Sequence, residues 1–528
     1  MNGDRTISPS PSCIDVAAVA EAVEEYEERL ERQASAAFAG LDLQDGLTDT
    51  SAAAALSYVI AAARRAAPDP VAASLLKTSA HFSSGDYISG QAHENDRAEV
   101  VIVCEPDLSA NLMGALHPAG SLYERPVNMK ACTQQHEAFR QALRSNGVRC
   151  LTVREILLYD TDVSVRARVE LEDLAAGRLR YELDPSCDER LLSSADRFYI
   201  GDEYKKQVLE CMSTDQLVDV VLTGPTVNVQ PSFRDTGFTA AYKFEPLTNA
   251  QFTRDQQVTT AKGIVLARLR SEQRRHEVNL MKHCFEKLGM PVIGTIAHPG
   301  YLEGGDFFPA GHDLCFIGVG TRTNLEACHQ LMQRDLLGTR RVAVVNDCFE
   351  RDQARMHLDT LFNIVGDDVC LLAADVIGEH SPLRRTVDEY ERVDLVDDRS
   401  LHSENGDSVT PPTPEEIDTD VPVTPLTRYV LRRSGVEFSK YLADNGFHIE
   451  PISREHQLEY GCNVLNLGDS TLLSCHAATA RQIVRCPHFH GSVQLIEFNA
   501  VNSMYGSLHC SSQVVRRAPA AEEDRGGR

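Results

Sequence analysis

Basic runs and long apolar stretches are both missing from this sequence of 528 residues. Its 77 acidic residues outnumber its 52 basic residues, which gives a formal charge of −25. This balance argues against nucleic acid or an anionic membrane surface as a partner. A small cationic substrate is compatible with it. Because no window offers about eighteen apolar residues without charge, we expect no membrane-spanning segment.

Cysteine pairs with the CxxC spacing are also absent. The fifteen cysteines are odd in number and scattered, which is typical of reduced thiols and not of a disulfide framework. The first residues include Asp4 and Asp15 and lack a basic segment followed by an apolar stretch, so we expect no signal peptide. The composition therefore favours a soluble cytoplasmic enzyme, and a homo-oligomer is compatible with it.

Four segments stand apart from the rest of the chain by composition. Residues 1–95 carry apolar residues at helical spacing and predict a helical N-terminal extension without chemistry of its own. Residues 154–225 predict a helical insert. Residues 393–426 are rich in acid and proline and predict a disordered surface loop, and the tail 518–528 is expected to fray.

The remaining chain, 96–517, repeats a pattern of strand, strand, helix and strand. We count five such units, of which the first lacks one strand. Residues 509–516 supply a strand that would pair into the first unit and close a ring without open sheet edges. The fold class predicted from this periodicity is α/β. The predicted units begin at residues 100, 252, 302, 357 and 463.

One stretch, GYLEGGDFFPAGHDLCFIGVGTRTN at 300–324, interrupts an apolar strand with polar residues. Glu303 and Asp306 flank Gly304 and Gly305, and no hydrophobic core requires that arrangement. Glycines permit close approach of backbone or ligand, and carboxylates suit a guanidinium. A glycine turn with solvated acids would look much the same, so this stretch alone leaves both interpretations open.

Three further stretches extend the pattern: NAQFTRD at 249–255, MHLDT at 356–360 and YGSLHCSSQ at 505–513. Asp255 is followed nineteen residues later by Arg274, and Glu303 nineteen residues later by Arg322. In this order the motifs resemble the arginine deiminase branch of the guanidino-group modifying enzymes, the pentein superfamily. The resemblance covers residues 96–517. It implies a five-bladed propeller of ββαβ units, which the periodicity supports independently.

The resemblance also implies a role for each candidate residue. Cys510 would be the nucleophile, His357 the general acid and base, and Glu303 a carboxylate that contacts the substrate and handles protons. Asp306 would brace the site. The implied substrate-binding residues are Asp255 and Asp359 for the guanidinium, Arg274 and Arg322 for the α-carboxylate, and Asn249 and Phe252 along the substrate stem.

The implied reaction is hydrolysis of free L-arginine to L-citrulline and ammonia through a covalent cysteine adduct, without a cofactor. Alternatives on the same fold are an arginine dihydrolase that continues to ornithine and an amidinotransferase. A non-catalytic arginine-binding protein is a further alternative. Cys486, His488 and His490 in CPHFHG lack a fourth ligand, so we expect no metal. Bacterial relatives carry a run of glycines before the nucleophile, whereas this chain offers only Gly506.

Overall fold

The structure is a computed structural model that describes residues 89–232, 237–347, 350–394 and 427–518. Within these ranges the fold is mixed α/β. Three of the sequence predictions fall mostly on residues outside these ranges. They concern the N-terminal extension (residues 1–88), the acidic loop (residues 395–426) and the C-terminal tail (residues 519–528). The strands are β1 (Arg97–Val103), β2 (Arg149–Thr152), β3 (Arg180–Leu183), β4 (Pro225–Pro231), β5 (Phe238–Phe244), β6 (Gln257–Thr260), β7 (Gly263–Leu266), β8 (Val292–Thr295), β9 (Phe307–Pro309), β10 (Leu314–Val319), β11 (Arg341–Asn346), β12 (Phe362–Ile364), β13 (Val369–Ala373), β14 (Thr386–Asp394), β15 (Thr427–Glu437), β16 (His448–Ile452), β17 (Leu465–Asn466), β18 (Thr471–Ser474), β19 (Ser492–Leu495) and β20 (Gln513–Ala518).

Helices alternate with these strands, and several begin at a capping side chain. Asn128 and Asn324, for example, each accept a backbone N–H at a helix start, as short polar residues do at that position. No helix in the described ranges is long and apolar enough to cross a membrane. The helices are α1 (Ala110–Leu116), α2 (Met129–Ser145), α3 (Val153–Leu158), α4 (Val165–Ala176), α5 (Ser194–Tyr199), α6 (Asp202–Glu210), α7 (Thr214–Thr223), α8 (Arg275–Lys287), α9 (Leu325–Gln333), α10 (Phe438–Asp444), α11 (Arg454–Leu458), α12 (Ala477–Arg485) and α13 (Asn499–Asn502).

Five of the sheets share one topology. In each, a middle strand (β1, β7, β10, β13 or β18) pairs antiparallel with one neighbour and parallel with another. At least one helix lies in the chain between each middle strand and its parallel partner. This is the strand, strand, helix, strand order of the sequence pattern. The middle strands β7, β10 and β13 are continuous apolar runs, because both of their faces are buried.

The first sheet has the order β2-β1-β20, so the last described strand pairs with the first. The pairing is antiparallel, with Val101 opposite Val514 and Ile102 opposite Gln513. A strand near the C-terminus therefore supplies the position that the first unit lacks.

A hairpin extends the third sheet beyond the expected three strands. Strands β14 and β15 pair antiparallel, and β14 also pairs with β11. The charged residues of these strands hide the alternation of polar and apolar residues that would indicate a strand. Glu389 and Glu391 of β14 form ion pairs with Arg341 and Arg340. Residues 393 and 394, which we expected in a disordered loop, belong to β14. Val436 and Glu437 belong to β15, so α10 begins at Phe438.

The insert contains a sheet that the sequence pattern did not predict. Helices α3 to α7 occupy residues 153–223, but β3, β4 and β5 form a separate three-stranded sheet. The insert therefore extends beyond the expected residue 225, to Phe244. Strand β5 is exposed along most of its length. Its sequence therefore lacks the regular alternation of apolar and polar residues that indicates a half-buried strand.

Residues 89–95, which we expected in the N-terminal extension, pack among the catalytic sheets. Gly90 bonds to Val515, and Gln91 N–H donates to the Thr260 carbonyl. Glu94 N–H donates to the Pro309 carbonyl. The side chain of Asn95 bonds to Asp367 and Asn466. These residues are therefore part of the folded interior and not of a helical extension.

Candidate functional site

The candidate residues lie in turns that immediately precede the first strand of a sheet. Asp255 precedes β6, Glu303 precedes β9, His357 and Asp359 precede β12, and Cys510 precedes β20. Glu303 and His357 each begin a single 3-10 turn, Gly304–Asp306 and Leu358–Thr360. The five-fold repetition of the topology thus brings together residues that are far apart in the chain.

The two glycines of the 303–306 motif are required by close packing. A Cβ on Gly304 would collide with the backbone carbonyl of Arg254, and one on Gly305 would lie 2.8 Å from Nδ1 of His357. Any side chain at either position would push the neighbouring turn or the imidazole away. The motif is therefore part of the site's construction and not a solvated turn.

His357 and Glu303 form a buried ion pair. Nε2 of His357 lies 2.8 Å from Oε2 of Glu303, and Nδ1 has no hydrogen-bond partner among the described residues. Burial alone would lower the pKa of His357, but Asp255 and Glu303 raise it to about 10. Burial would raise the pKa of Glu303, but the bond to His357 lowers it to about 2. His357 is thus a proton donor at neutral pH.

The Cys510 thiol lies between a carboxylate and an amide. Its Sγ is 3.5 Å from Oδ2 of Asp359 and accepts a hydrogen bond of 3.2 Å from Nδ2 of Asn463. Burial, followed by the charges of Asp359 and Asp255, raises the pKa of this thiol well above its usual value. In the empty site the cysteine is therefore a thiol, and a bound cation between the carboxylates would favour the thiolate.

Asp255 and Asp359 each keep one buried oxygen that accepts no hydrogen bond, although Oδ1 of Asp255 lies 3.9 Å from Nδ1 of His357. Oδ1 of Asp255 and Oδ1 of Asp359 accept no hydrogen bond within the described chain, although both side chains are almost fully buried. Unsatisfied buried carboxylate oxygens are costly, so they indicate a missing donor. Two such oxygens near a thiol suit the N–H groups of a guanidinium.

The two candidate arginines differ in how many partners they have. Arg274 donates to Asp255 at 2.7 Å, to Glu277 through three nitrogen–oxygen contacts, and to the Asn249 carbonyl. Arg322 has a 3.3 Å bond to Gln353 and lies 3.7 Å from Glu303. Arg274 is thus held by carboxylates of the chain itself. Arg322 retains more capacity to bind a ligand carboxylate.

A small cavity joins these side chains. It has a volume of about 20 Å³, room for roughly one water molecule. Leu122 and Tyr505 line it, and both have positive φ, 62° and 75°. Leu122 and Tyr505 therefore lie at the cavity in the left-handed backbone region, which is uncommon for residues other than glycine. The cavity is lined by Leu122, Asn249, Phe252, Asp255, Arg274, Arg322, Gln353, Met356, His357, Met504, Tyr505 and Cys510.

Asn249, Phe252 and Asp306 each hold a neighbouring segment in position. Nδ2 of Asn249 donates to the Ser121 carbonyl at 3.0 Å. The ring of Phe252 occupies the space that a Cβ of Gly506 would need, which explains the single glycine of that loop. Oδ1 of Asp306 accepts the N–H of Leu358 at 2.9 Å, next to His357. Burial raises the pKa of Asp306 to about 7.

Asp255, Glu303 and His357 are close enough to be considered as metal ligands. One atom of each lies within 4.8 Å of the others, the one such group in the described ranges. The same donors are already engaged, since Glu303 bonds to His357 and Asp255 to Arg274. This arrangement suits a guanidinium at least as well as a metal ion. The residues of CPHFHG do not form such a group, and His488 stacks on His448 at 3.5 Å.

Two further residues of the site escaped the sequence analysis. Asn463, in the turn before β17, contacts the thiol and also accepts the Cys510 N–H at 3.3 Å. Glu277, fully buried on α8, neutralises Arg274. Asn463 begins the fifth unit, at the position equivalent to Asp255 and Glu303, so the repeat register was a signal for it. Glu277 lies in a charged helix pattern that resembles a solvated face.

Comparisons with known proteins identify the family of this chain. A model of the arginine deiminase family matches residues 120–517. Arginine deiminase of Halobacterium salinarum is 24% identical over 353 residues, which cover 52% of this chain and 65% of that protein. Arginine deiminase of Staphylococcus aureus is 24% identical over 300 residues, with 54% and 69% covered. The chain spans about two thirds of the length of these curated relatives.

Solved structures resemble the chain more distantly. A variant of dimethylarginine dimethylaminohydrolase from Pseudomonas aeruginosa in complex with citrulline has a TM-score of 0.41 and 15% identity, with 79% of this chain and 98% of that chain covered. The N-terminal domain of a cyanobacterial arginine dihydrolase has a TM-score of 0.43 and 11% identity, with 79% and 97% covered. Such scores carry no inference about function.

The family match is the firm result, since it extends over about three quarters of the chain and includes every candidate site residue. The chain belongs to the arginine deiminase family, a family of hydrolases that act on the C–N bond of an amidine.

Proposed function

We propose that this chain hydrolyses the guanidino group of free L-arginine to L-citrulline and ammonia. The observation that carries the proposal is the pair of buried carboxylates, Asp255 and Asp359, each with an unpaired oxygen, next to the Cys510 thiol and the His357–Glu303 pair. A guanidinium supplies the missing N–H donors and the missing positive charge at once.

We also infer that the five sheets stand around one axis as a five-bladed propeller. The antiparallel pairing of β1 with β20 supports this, because it joins the two ends of the catalytic region. The segment 89–96 supports it too, since its residues bond to members of all five sheets or to the turns beside them. One short segment can reach five sheets only if their ends converge.

The first half of the proposed reaction forms the covalent adduct. A guanidinium between Asp255 and Asp359 offsets the negative charge that suppresses ionisation of Cys510, and the hydrogen bond from Asn463 stabilises the sulfur anion. The thiol releases its proton to solvent as the guanidinium binds, and the Sγ thiolate then attacks the guanidino carbon. His357 donates a proton to one amino group, and the C–N bond breaks to release ammonia. The product is a thiouronium-type adduct on Cys510.

The second half regenerates the enzyme. His357, now neutral, accepts a proton from a water molecule that attacks the same carbon. The C–S bond breaks, and citrulline leaves while Cys510 recovers its proton. Glu303 stabilises the imidazolium in both halves through its 2.8 Å contact. No step requires a cofactor, and we expect turnover to survive treatment with a metal chelator.

We assign the main contact with the substrate α-carboxylate to Arg322, and only a weaker contact to Arg274. Arg274 is bound by Glu277 and Asp255, whereas Arg322 lies at the cavity with one side-chain hydrogen bond, to Gln353. Arg322 therefore receives the substrate α-carboxylate in this proposal. Arg274 would hold Asp255 in place and add a second, weaker contact.

Product analysis tests the proposal. Purified protein is incubated with arginine labelled with ¹³C at the guanidino carbon, and the products are identified by NMR. Citrulline with retained label, together with ammonia, is the expected result. Ornithine as the product would indicate a dihydrolase, and a labelled amidino group on an added amine would indicate an amidinotransferase. Binding without turnover would make the chain a non-catalytic arginine-binding protein.

Substitution of the nucleophile provides the matched control. Cys510→Ser is expected to abolish turnover, because the hydroxyl is a far weaker nucleophile at neutral pH. Cys315→Ser is the control, since Cys315 is equally buried and its sulfur already contacts a hydroxyl, that of Thr339. Arginine turnover by Cys510→Ser within about tenfold of wild type, a loss of only about 1.4 kcal/mol, would contradict the assignment.

A further inference from the structure

Behind the candidate site, a series of buried polar contacts connects the nucleophile to the N-terminal segment. Nδ1 of His509 lies 2.8 Å from Oδ2 of Asp359, the oxygen that is 3.5 Å from the Cys510 sulfur. Nε2 of His509 lies 3.5 Å from Oε1 of Glu94, close enough for electrostatic contact but without a hydrogen bond among the described residues. The same Glu94 oxygen accepts a 2.9 Å bond from Arg517. Glu94 and His509 are completely buried.

The imidazole of His509 has a fixed orientation. Its ring stacks on Phe308 at 5.2 Å between centroids and an angle of 7°. An ionised carboxylate only accepts hydrogen bonds, so Nδ1 of His509 carries the proton that bonds to Asp359. Arg254 fixes the backbone at the same residue, because its Nε donates to the His509 carbonyl at 3.2 Å. The ring can therefore neither rotate nor exchange its two nitrogens without losing these contacts.

The hydrogen bond between His509 and Asp359 determines which carboxylate oxygen of Asp359 remains available to a ligand. Oδ2 is occupied by His509 and faces the thiol, whereas Oδ1 has no partner. We propose that His509, held by Phe308 and Glu94, is a positioning residue that fixes the Asp359 carboxylate so that Oδ1 receives a substrate N–H. This inference rests on the proposed hydrolysis of a guanidino group and adds His509 and Glu94 to its machinery.

Glu94 gives the segment 89–96 a part in this arrangement. The segment is bound on several sides, by Thr260, Pro309 and Val515 among others, so the Glu94 carboxylate has a fixed place. Arg517 compensates its charge, and this pairing together with His509 lowers the pKa of Glu94 well below its usual value despite burial. Glu94 thus remains ionised beside Nε2 of His509. Residues ahead of the first strand contribute in this way to the geometry of the site.

A purely structural role for the network is the competing explanation. A buried ion pair such as Glu94–Arg517 contributes to a fixed interior whether or not catalysis depends on it. The two explanations differ in which nitrogen of His509 matters. Asparagine at position 509 retains a donor close to the position of Nδ1, whereas glutamine offers its amide close to that of Nε2. A structural role would make both substitutions similarly harmful.

Three substitutions test the proposal in the full-length protein: His509→Asn, His509→Gln and Glu94→Gln. We expect His509→Gln to lower kcat/KM for arginine by about tenfold to a hundredfold, the range for losing a partner that orients a ligand group. His509→Asn should lose much less activity than His509→Gln, because its amide keeps a donor close to the position of Nδ1. Glu94→Gln should lie between them. The control is His136→Asn, since His136 is a fully buried histidine whose ring nitrogens have no partner and which lies on α2.

A readout without substrate separates this proposal from the proposed function. The rate of Cys510 alkylation by iodoacetamide is measured against pH, with the Cys510→Ser variant as the blank. The charged and titratable groups around the pair are Asp255 and Tyr460 near Cys510, and Arg254 and His357 near Asp359. None of these changes between the two variants at position 509. We expect the midpoint in His509→Gln to move to lower pH, because Asp359 no longer stays beside the sulfur, and the midpoint in His509→Asn to stay.

The outcomes are distinct. Equal losses in His509→Asn and His509→Gln, or an unchanged alkylation profile in a folded His509→Gln protein, would overturn the positioning role. If His509→Gln does not fold, the proposal rests on Glu94→Gln, whose unchanged kcat/KM and alkylation profile would overturn it. Failure of the wild type to hydrolyse arginine, with the alkylation shift present, would refute the proposed substrate and leave the positioning of Asp359 intact.

Discussion

At the scale of single residues, Asn463 is the side chain whose contribution to chemistry is most direct after the nucleophile. Its amide donates to the Cys510 sulfur at 3.2 Å and to the Asp359 carbonyl at 3.2 Å. A hydrogen bond to a charged group contributes about 1.5–3 kcal/mol, and the sulfur carries negative charge when it attacks. The amide therefore stabilises the thiolate more than the thiol.

Asn463→Ala is accordingly expected to lower kcat by roughly 10-fold to 150-fold, the equivalent of that bond. The pH midpoint for alkylation of Cys510 should move upward at the same time. Asn346→Ala is the control, because Asn346 also donates to a neighbour, Asp388, but lies at the end of β11. An unchanged alkylation midpoint in Asn463→Ala would mean that the amide only supports the backbone.

Arg322 decides between arginine and its decarboxylated analogue, agmatine. If Arg322 binds the α-carboxylate, Arg322→Ala should cost about 2–5 kcal/mol in kcat/KM for arginine, as for one side of a buried charge pair. The loss for agmatine should be much smaller, since agmatine cannot make that contact. Both substrates are measured on both proteins. Equal losses would show that Arg322 only supports Glu303, from which it lies 3.7 Å.

The residues found from sequence and those missed differ in their local surroundings. Cys510, His357, Glu303 and Asp255 belong to short motifs that resemble those of a known family. Glu94 lies in QAHENDRAE, where every polar neighbour suggests solvent. Its complete burial results from contacts with strand ends hundreds of residues away. The hydrophobic periodicity around Glu94 cannot reveal such long-range contacts. His509 was within a quoted motif, but its role depends on Asp359 and Phe308 in other units.

At the scale of elements, the ββαβ order was predictable because strand and helix periods alternate regularly along the chain. The hairpin β14–β15 and the sheet of the insert were not, because their strands are rich in charged or exposed residues. In the hairpin, Arg340 and Arg341 neutralise the acids of β14 across the sheet. Strand formation there depends on ion pairs with residues of other strands. The residue pattern within the hairpin is therefore a poor predictor of its strands.

The hairpin also leads to a prediction about the residues it connects. Asp394 and Thr427 are directly opposite each other in the ladder, so a two-residue Asn-Gly turn can replace residues 395–426 without moving either strand. We expect the variant to retain its melting temperature and its kcat/KM for arginine, since the free energy of closing a connection between two paired strands changes little with its length. Loss of activity in a variant with a normal melting temperature would mean that residues 395–426 take part in the site.

At the scale of the whole molecule, the buried charges of the site link its stability to pH. The pKa of His357 is raised to about 10 and that of Asp306 to about 7, the first by neighbouring carboxylates and the second by burial. Above pH about 6.5, the unfolded chain releases the histidine proton while the folded chain keeps it. Asp306 likewise retains a proton that the unfolded chain has already lost. Both groups therefore make folding less favourable as pH rises.

Glu303 has the opposite sign but acts in a different range. Its folded pKa of about 2 lies below the usual value, so its contribution to stability is present above the unfolded pKa and is lost only in acid. Between pH 6.5 and 8 it is ionised in both states and adds no slope. Among the groups of the site, His357 therefore gives the main decrease of stability in this window, with a part from Asp306 near pH 7.

Urea unfolding at pH 6.5, 7.25 and 8 measures this dependence. Each of the two groups contributes a slope of at most about 1.4 kcal/mol per pH unit, the free energy of one proton held by the folded state alone. We expect the slope of the unfolding free energy against pH to be more negative in the wild type than in His357→Gln, because only the wild type holds the His357 proton. Asp306→Asn should flatten the lower part only. A His357→Gln protein with the wild-type slope would mean that His357 is neutral in the folded state, and the proposed proton donor to ammonia would have to be another group.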